Sequence, residues 1–155
     1  TSKGSFYHYF DGKDALLSTL SSLFDEKYEE LTGLLTPEMT AMEQLLFLNR
    51  ELFHMIEDSI SLDLLARLYS TQLTTNGEKH LLDHNRIYYK LLRKIIAKGQ
   101  SEGQLSSRSN VNEMVKLYAL CERALLYDWC LCAGEYALTE YSAKVLPGFL
   151  SSFLP

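Results

Sequence analysis

The sequence predicts an all-α fold, and three observations support this prediction. Apolar residues recur every three to four positions through most of the chain, the spacing that places them on one face of a helix. No alternating apolar and polar pattern longer than four residues is present, so we predict no strand. The chain has only 3 prolines and 8 glycines in 155 residues, which leaves long segments without a helix-breaking residue.

Length and composition point to one folded domain. A chain of 155 residues with 46% apolar residues can bury a hydrophobic core large enough to offset its conformational entropy. The longest apolar stretch, 117–132, is interrupted by Glu122, Arg123 and Asp128, so we expect no membrane-spanning helix. The net charge of −5 argues against a chain whose whole surface binds nucleic acid.

Seven helices are predicted, at about 2–9, 13–33, 38–57, 59 or 61–74, 78–98, 110–133 and 139–153. Asp11 can cap the second of these helices, and Gly33 with Thr36-Pro37 ends it. Its predicted inner side consists of Leu16, Leu20, Leu23, Phe24 and Leu31.

The later helices are delimited by similar signals. Ser59 or Ser61 caps the fourth helix, and Asn76-Gly77 ends it. Gly99 and Gly103 end the fifth, and Pro147-Gly148 interrupts or bends the last.

The three cysteines lie between positions 121 and 132 on one predicted helix. On a helix they are either too far apart along the axis or point in divergent directions, so none of them can form a disulfide with another. We therefore expect reduced thiols and a cytoplasmic protein.

The opening segment has the composition of a helix that contacts DNA. Lys3 and Tyr7 share one helical face, while Phe6 and Phe10 share another that can dock on the body of the protein. Gly4 allows a sugar–phosphate backbone to approach closely, and the first N–H groups of a helix can bind phosphate. The alternative is that this aromatic cluster simply packs against the body.

Residues 1–10 (TSKGSFYHYF), together with Lys13 and Leu16-Leu17, closely resemble a stretch of the TetR (tetracycline-repressor-like) family of bacterial transcriptional regulators. In that family the stretch is the recognition helix and the start of the following long helix. The match covers residues 1–17, and beyond them only the helical layout is similar. Two departures are evident: the family's first two helices are absent, and Gly12 replaces the polar residue usual before the lysine.

The resemblance implies a partial helix-turn-helix at 1–14, followed by a helical ligand-binding and dimerisation domain at 15–155. We expect the given chain to lack the first part of its DNA-binding domain. The resemblance implies that Lys3, Gly4 and His8 face bases or the groove floor. The DNA-binding residues it implies are Ser2, Lys3, Gly4, Ser5, Tyr7, His8, Tyr9 and Lys13, and the partner would be double-stranded DNA with a palindromic operator.

Polar residues inside apolar helical stripes are candidates for a ligand pocket. Asn49, Asn85 and Glu122 each fall within such a stripe, where an unpartnered polar group would be costly. The two asparagines could instead bond to each other or to the backbone, and Glu122 could pair with an arginine or lie at a subunit contact. The candidate ligand-binding residues are Asn49, Phe53, Tyr69, Asn85, Tyr88, Tyr89, Tyr118, Glu122 and Trp129.

The ligand would be a small-molecule effector of unspecified identity. If Glu122 faces a cavity among aromatic side chains, a lipophilic cation is the expected class of ligand. We predict no bound cofactor and no metal site, because the helical pair His80 and His84 lacks well-placed further ligands.

A homodimer is predicted from the helix at 110–133, which is apolar on most of its sides and therefore needs a partner on its far face. A dimer also matches the two half-sites of palindromic DNA. The candidate interface residues are Leu117, Leu120, Ala124, Leu131, Leu146, Phe149, Leu150 and Phe153.

Taken together, the residues and the resemblance predict a ligand-responsive DNA-binding transcriptional regulator, a repressor released from its operator by a small molecule. The alternative is a helical small-molecule-binding protein that does not bind DNA. An enzyme is not expected, because no arrangement of nucleophile, acid and base residues is recognisable.

Overall fold

The computed structural model describes residues 13–77 and 79–155, with the side chains of 13, 14, 16 and 17 left out of the description. Within these ranges the chain is all-helical, as predicted, and contains no strand. The described helices are α1 (Lys13–Leu34), α2 (Ala41–Ser59), α3 (Leu62–Thr74), α4 (Ile87–Ser101), α5 (Val111–Leu131) and α6 (Leu138–Leu150). Two short 3-10 turns, His80–Leu82 and Ser151–Phe153, complete the secondary structure of the described residues.

Helix starts follow local capping chemistry. Thr40 caps α2, where its hydroxyl accepts from the Glu43 N–H while the Glu43 carboxylate accepts from the Thr40 N–H, a reciprocal capping box. Ser61, one of the two predicted caps, accepts from the Leu64 N–H at the start of α3. Asn110 caps α5 in the same way.

The prediction of one helix over 78–98 is wrong. A 3-10 turn lies at His80–Leu82, and α4 begins only at Ile87. The reason lies in Asp83, whose carboxylate accepts from the Asn85 N–H at 3.0 Å, so the side chain forms a local turn that competes with a helix. Asn85 is therefore an exposed residue of the connection and not part of a helical stripe.

The other end of α4 also departs from the predicted position. Gly99 does not end the helix but allows α4 to approach the start of α2, since a Cβ at this position would lie 2.6 Å from the Ala41 Cβ. The helix continues to Ser101, and the chain then turns through Gly103 at a φ of +73°. The last helix passes through Pro147 and ends at Leu150, before the 3-10 turn.

One continuous core joins all six described helices. α2 packs against α1, α4 and α6, and α5 packs against α3, α4 and α6. On α1 the buried apolar side chains are Leu20, Phe24 and Leu31, joined by Tyr28, whereas the predicted core residue Leu23 is 37% exposed.

Candidate ligand-binding site

A buried hydrogen-bond network joins four helices at the centre of the fold. The Glu122 carboxylate on α5 accepts from the Tyr88 hydroxyl on α4 at 2.6 Å and from the Asn49 side-chain amide on α2 at 2.8 Å. The Asn49 carbonyl oxygen accepts in turn from the Ser142 hydroxyl on α6 at 2.6 Å. Two of the three polar residues that interrupt the apolar stripes of the sequence, Asn49 and Glu122, therefore belong to one hydrogen-bond network. Asn49 bonds to Glu122 and not to Asn85.

Burial controls the ionisation of this network. Removal from water raises the pKa of the Glu122 carboxyl above its ordinary value of 4.5. Hydrogen bonds from Tyr88 and Asn49 and the positive charge of Arg123 oppose this rise without cancelling it. The Tyr118 hydroxyl donates to the Leu45 carbonyl oxygen at 2.8 Å, which anchors α5 to the backbone of α2.

A cavity of about 60 Å³ lies beside the network, and Tyr88 and Glu122 form part of its wall. Most of the remaining wall is apolar. Side chains of α2 and α3 contribute Leu52, Ile56, Leu65 and Leu68 to it. The shape is that of a hydrophobic chamber with a few convergent polar groups, which is typical of a small-molecule site.

Helix α1 supplies another part of the same wall. Phe24 and Tyr28 project from α1 into the lining of the cavity. The Tyr28 ring lies 5.1 Å from the Tyr88 ring, centroid to centroid, so α1 contacts α4 next to the carboxyl of Glu122. A ligand that presses on this part of the wall would therefore act on α1.

Two arginines complete the wall. The Arg86 side chain is only 8% exposed, and its Nε has no hydrogen-bond partner among the described residues. Its nearest carboxylate is that of Asp25, with Nη2 and Oδ1 separated by 3.7 Å, too long for a hydrogen bond. Arg123 donates from Nη1 to the Tyr89 hydroxyl at 3.1 Å.

The connection between α3 and α4 contributes Leu81 to the wall of the cavity. The Leu81 N–H donates to the Gln72 side-chain oxygen at 3.0 Å, and the Leu81 carbonyl accepts from the Tyr89 hydroxyl at 2.6 Å. No residue of the 3-10 turn that contains Leu81 is fully buried.

The structure brings together three of the predicted ligand-binding residues in the cavity wall, namely Tyr69, Tyr88 and Glu122. Asn49 does not line the cavity but is hydrogen-bonded to Glu122 in the network. Four further predicted residues are buried in the core but lie outside this wall: Phe53, Tyr89, Tyr118 and Trp129. Asn85, as described above, is at the surface and does not reach the cavity.

Sequence reasoning missed four residues on which the site depends, namely Phe24, Tyr28, Arg86 and Arg123. The two aromatic residues are four apart on a helix whose inner face was predicted correctly at Phe24, so a search for aromatic pairs on that face would have found them. Arg86 carries no such signal, because its burial arises from a turn that the periodicity did not predict.

The predicted interface residues divide into two groups. On α5, Leu120 and Leu131 are 48% and 69% exposed, and Tyr127, 52% exposed, lies on the same helical face. Ala124 and Phe149 are also exposed, and Leu117 is half-buried. In contrast, three residues belong to the core of a single chain and offer no surface to a second copy: Leu146, Leu150 and Phe153.

Seven of the predicted DNA-binding residues, Ser2, Lys3, Gly4, Ser5, Tyr7, His8 and Tyr9, lie outside the described residues, as does the predicted helix at 2–9. Lys13 begins α1, but its side chain is not described.

Three further findings concern the described part of the chain. None of its helices is both long enough and apolar enough to cross a membrane. Within the same residues, no group of three or more His, Cys, Asp or Glu side chains could hold a metal ion. The three cysteines are free, and Cys121 is buried.

Comparison of the chain with protein-family models, with curated proteins and with solved structures gave no match.

Proposed function

We propose that the protein is a ligand-responsive DNA-binding transcriptional regulator of the TetR type, a repressor released from its operator by a small molecule. The resemblance over residues 1–17 supports the DNA-binding half of this proposal. The cavity beside Glu122 supports the ligand-responsive half. A regulator of bacterial genes acts where the chromosome is, so the proposal includes a cytoplasmic location.

A single observation carries the proposal: α1 connects its two halves. The helix begins at Lys13, directly after the segment that resembles a recognition helix, and contributes Phe24 and Tyr28 to the cavity wall. A ligand that displaces these two side chains would move α1, and the helix would transmit that movement toward its first turn. The ligand then shifts the population between two orientations of the DNA-contacting segment.

The proposal includes a homodimer through the exposed apolar face of α5, here called the α5 stripe and defined as Leu120, Ala124, Tyr127 and Leu131. Exposure of several large apolar side chains on one helical face to water is unfavourable, and a second copy of the chain would bury them. Two copies related by a twofold axis would present two reading segments to a palindromic site.

Selection of DNA from a randomised pool, with the protein as its gene encodes it, tests the proposal. We expect enrichment of a palindromic sequence, and weaker binding of that sequence by Lys3→Ala and Tyr7→Phe. Failure to enrich any sequence, while small molecules still bind the cavity, would replace the proposal with the second candidate, a helical small-molecule-binding protein without DNA binding. The cavity alone would support that candidate, because it does not depend on residues 1–10.

A further inference from the structure

The polar groups of the cavity wall select among classes of ligand. Arg86 is more than nine-tenths buried, lines the cavity, and leaves its Nε without an acceptor among the described residues. A buried guanidinium donor without an acceptor costs free energy, and an oxygen of a ligand would remove that cost. Asp25 forms an ion pair with Arg86 at 3.7 Å between Nη2 and Oδ1, but this contact leaves Nε without an acceptor.

Arg123 adds a second guanidinium to the same wall. Its side chain donates to the Tyr89 hydroxyl, which is a neutral acceptor. Among the described residues, no carboxylate lies within ion-pair distance of Arg123. The planar donors of two arginines match the two oxygens of a carboxylate.

The carboxyl of Glu122 does not favour a cation at this site. One of its oxygens accepts from Tyr88 and the other from Asn49, so both are already engaged by neutral donors. Burial also raises the pKa of this carboxyl above its ordinary value. The lipophilic cation expected from the sequence would instead meet two guanidinium groups, of which only Arg86 has a carboxylate within ion-pair distance among the described residues.

The remainder of the wall requires an apolar body on the ligand, since Leu52, Ile56, Leu65 and Leu68 surround the chamber. At about 60 Å³ the cavity has room for only a few water molecules, whereas ligand pockets occupy roughly 300–1,000 Å³. A ligand with an aliphatic chain must therefore move part of the wall. Leu81 is the side chain best placed to yield, because its 3-10 turn has no fully buried residue.

We propose that the cavity binds an amphipathic carboxylate, whose head group pairs with Arg86 and Arg123 and whose aliphatic or aromatic body occupies the apolar chamber. The inference rests on the proposed function only in taking this ligand to be the effector. The binding site itself stands on the geometry of the wall.

Isothermal titration calorimetry with three probes of equal chain length tests the proposal: octanoate, 1-octanol and octyltrimethylammonium. We expect octanoate to bind once per chain and at least tenfold more tightly than either other probe. Arg86→Gln and Arg123→Gln should each weaken octanoate binding about tenfold, the loss of one charge-assisted hydrogen bond. Lys90→Gln, an exposed cation on α4 outside the wall, is the matched control and should bind octanoate like the unchanged protein.

Circular dichroism establishes that each variant is folded, and Arg123→Lys serves as a second variant if Arg86→Gln does not fold. No binding of octanoate, equal binding of octanoate and octanol, or a preference for octyltrimethylammonium would each overturn the proposal. Arginine variants that bind octanoate as well as Lys90→Gln does would also overturn it. Octanoate binding by a protein that selects no DNA would sustain this inference and defeat the proposed regulator, so the two failures are distinguishable.

Discussion

The Tyr88 hydroxyl donates a 2.6 Å hydrogen bond to Oε1 of Glu122, across 34 residues of sequence and between α4 and α5. The bond is buried, and the same carboxylate holds Asn49 of α2 through its other oxygen. The cavity, the contact with α1 and the link to α6 through Ser142 all meet at this point.

Tyr88→Phe should lower the free energy of unfolding by about 1–3 kcal/mol, because it removes one of the donors of a buried carboxyl while leaving the ring in place. Urea denaturation followed by circular dichroism measures the change. Tyr141→Phe, which alters a tyrosine that is 43% exposed and lies outside the α5 stripe, should change the stability by less than about 0.5 kcal/mol. Equal effects of the two substitutions would show that the Tyr88 bond contributes nothing.

Glu57 predicts a pH dependence of stability. Burial alone would raise its pKa, but hydrogen bonds from the Thr139 hydroxyl and N–H and from the Leu138 N–H outweigh burial and lower the pKa below 4.5. These donors include N–H groups of the first turn of α6, which have no acceptor within their own helix. The ionised carboxylate of Glu57 on α2 therefore stabilises the start of α6.

A group whose pKa is lower in the folded state than in the unfolded state stabilises the fold above its unfolded pKa. The contribution of Glu57 is therefore present at neutral pH and is lost as the pH falls below 4.5 through the folded-state pKa. Glu57→Gln should reduce stability at pH 7 and flatten the acid limb of a plot of unfolding free energy against pH. Glu29→Gln, at an exposed position, should leave that limb unchanged. A slope identical in Glu57→Gln and the unchanged protein would refute the assignment.

Gly99→Ala tests the close approach of α4 to α2. The added Cβ would lie 2.6 Å from the Ala41 Cβ and 2.8 Å from carbons of Leu105, so the helices must separate at a cost of about 1–3 kcal/mol. Gly33→Ala is the matched control, since no atom lies within 4 Å of its added Cβ and alanine favours the helix by roughly 0.5–1 kcal/mol. Thermal unfolding should therefore show opposite shifts for the two variants. Shifts of the same sign would contradict the described packing.

The proposed dimer makes a separate prediction for the α5 stripe. Analytical ultracentrifugation at micromolar concentration should give a dimer for the unchanged protein and a monomer for the double variant Leu120→Glu, Leu131→Glu. Leu73→Glu places the same charge on a leucine that is 73% exposed on α3, outside the stripe, and should remain dimeric. A monomeric unchanged protein would remove the dimer from the proposal.

Helical periodicity predicted most of the fold, because the core of each helix is a local pattern. It placed Asn49 and Glu122 at buried positions correctly, since each lies in the middle of an apolar stripe. It failed at 83–86, where the Asp83 side chain forms a turn that the apolar spacing of Leu81 and Tyr88 does not reveal.

The candidate site was less predictable than the helices, because it does not follow from a local pattern. Which buried residues face a cavity depends on how helices cross, and this information is spread over the whole chain. Trp129 illustrates the limit: it is buried as its stripe requires, yet its indole N–H donates to the Tyr136 carbonyl, away from the chamber. Arg86 is the opposite case, because a charged residue in a short connection would be expected in water.

The most direct test of the central claim is the affinity of the protein for its selected DNA, measured by fluorescence anisotropy at several salt concentrations. The account predicts that affinity falls steeply with salt, and that Lys13→Ala reduces both the affinity and the steepness of that fall, because the resemblance implies that Lys13 contacts a phosphate. Lys98→Ala, which removes an exposed charge at the far end of α4, should leave both unchanged. Binding that is insensitive to salt and to Lys13→Ala would contradict the account.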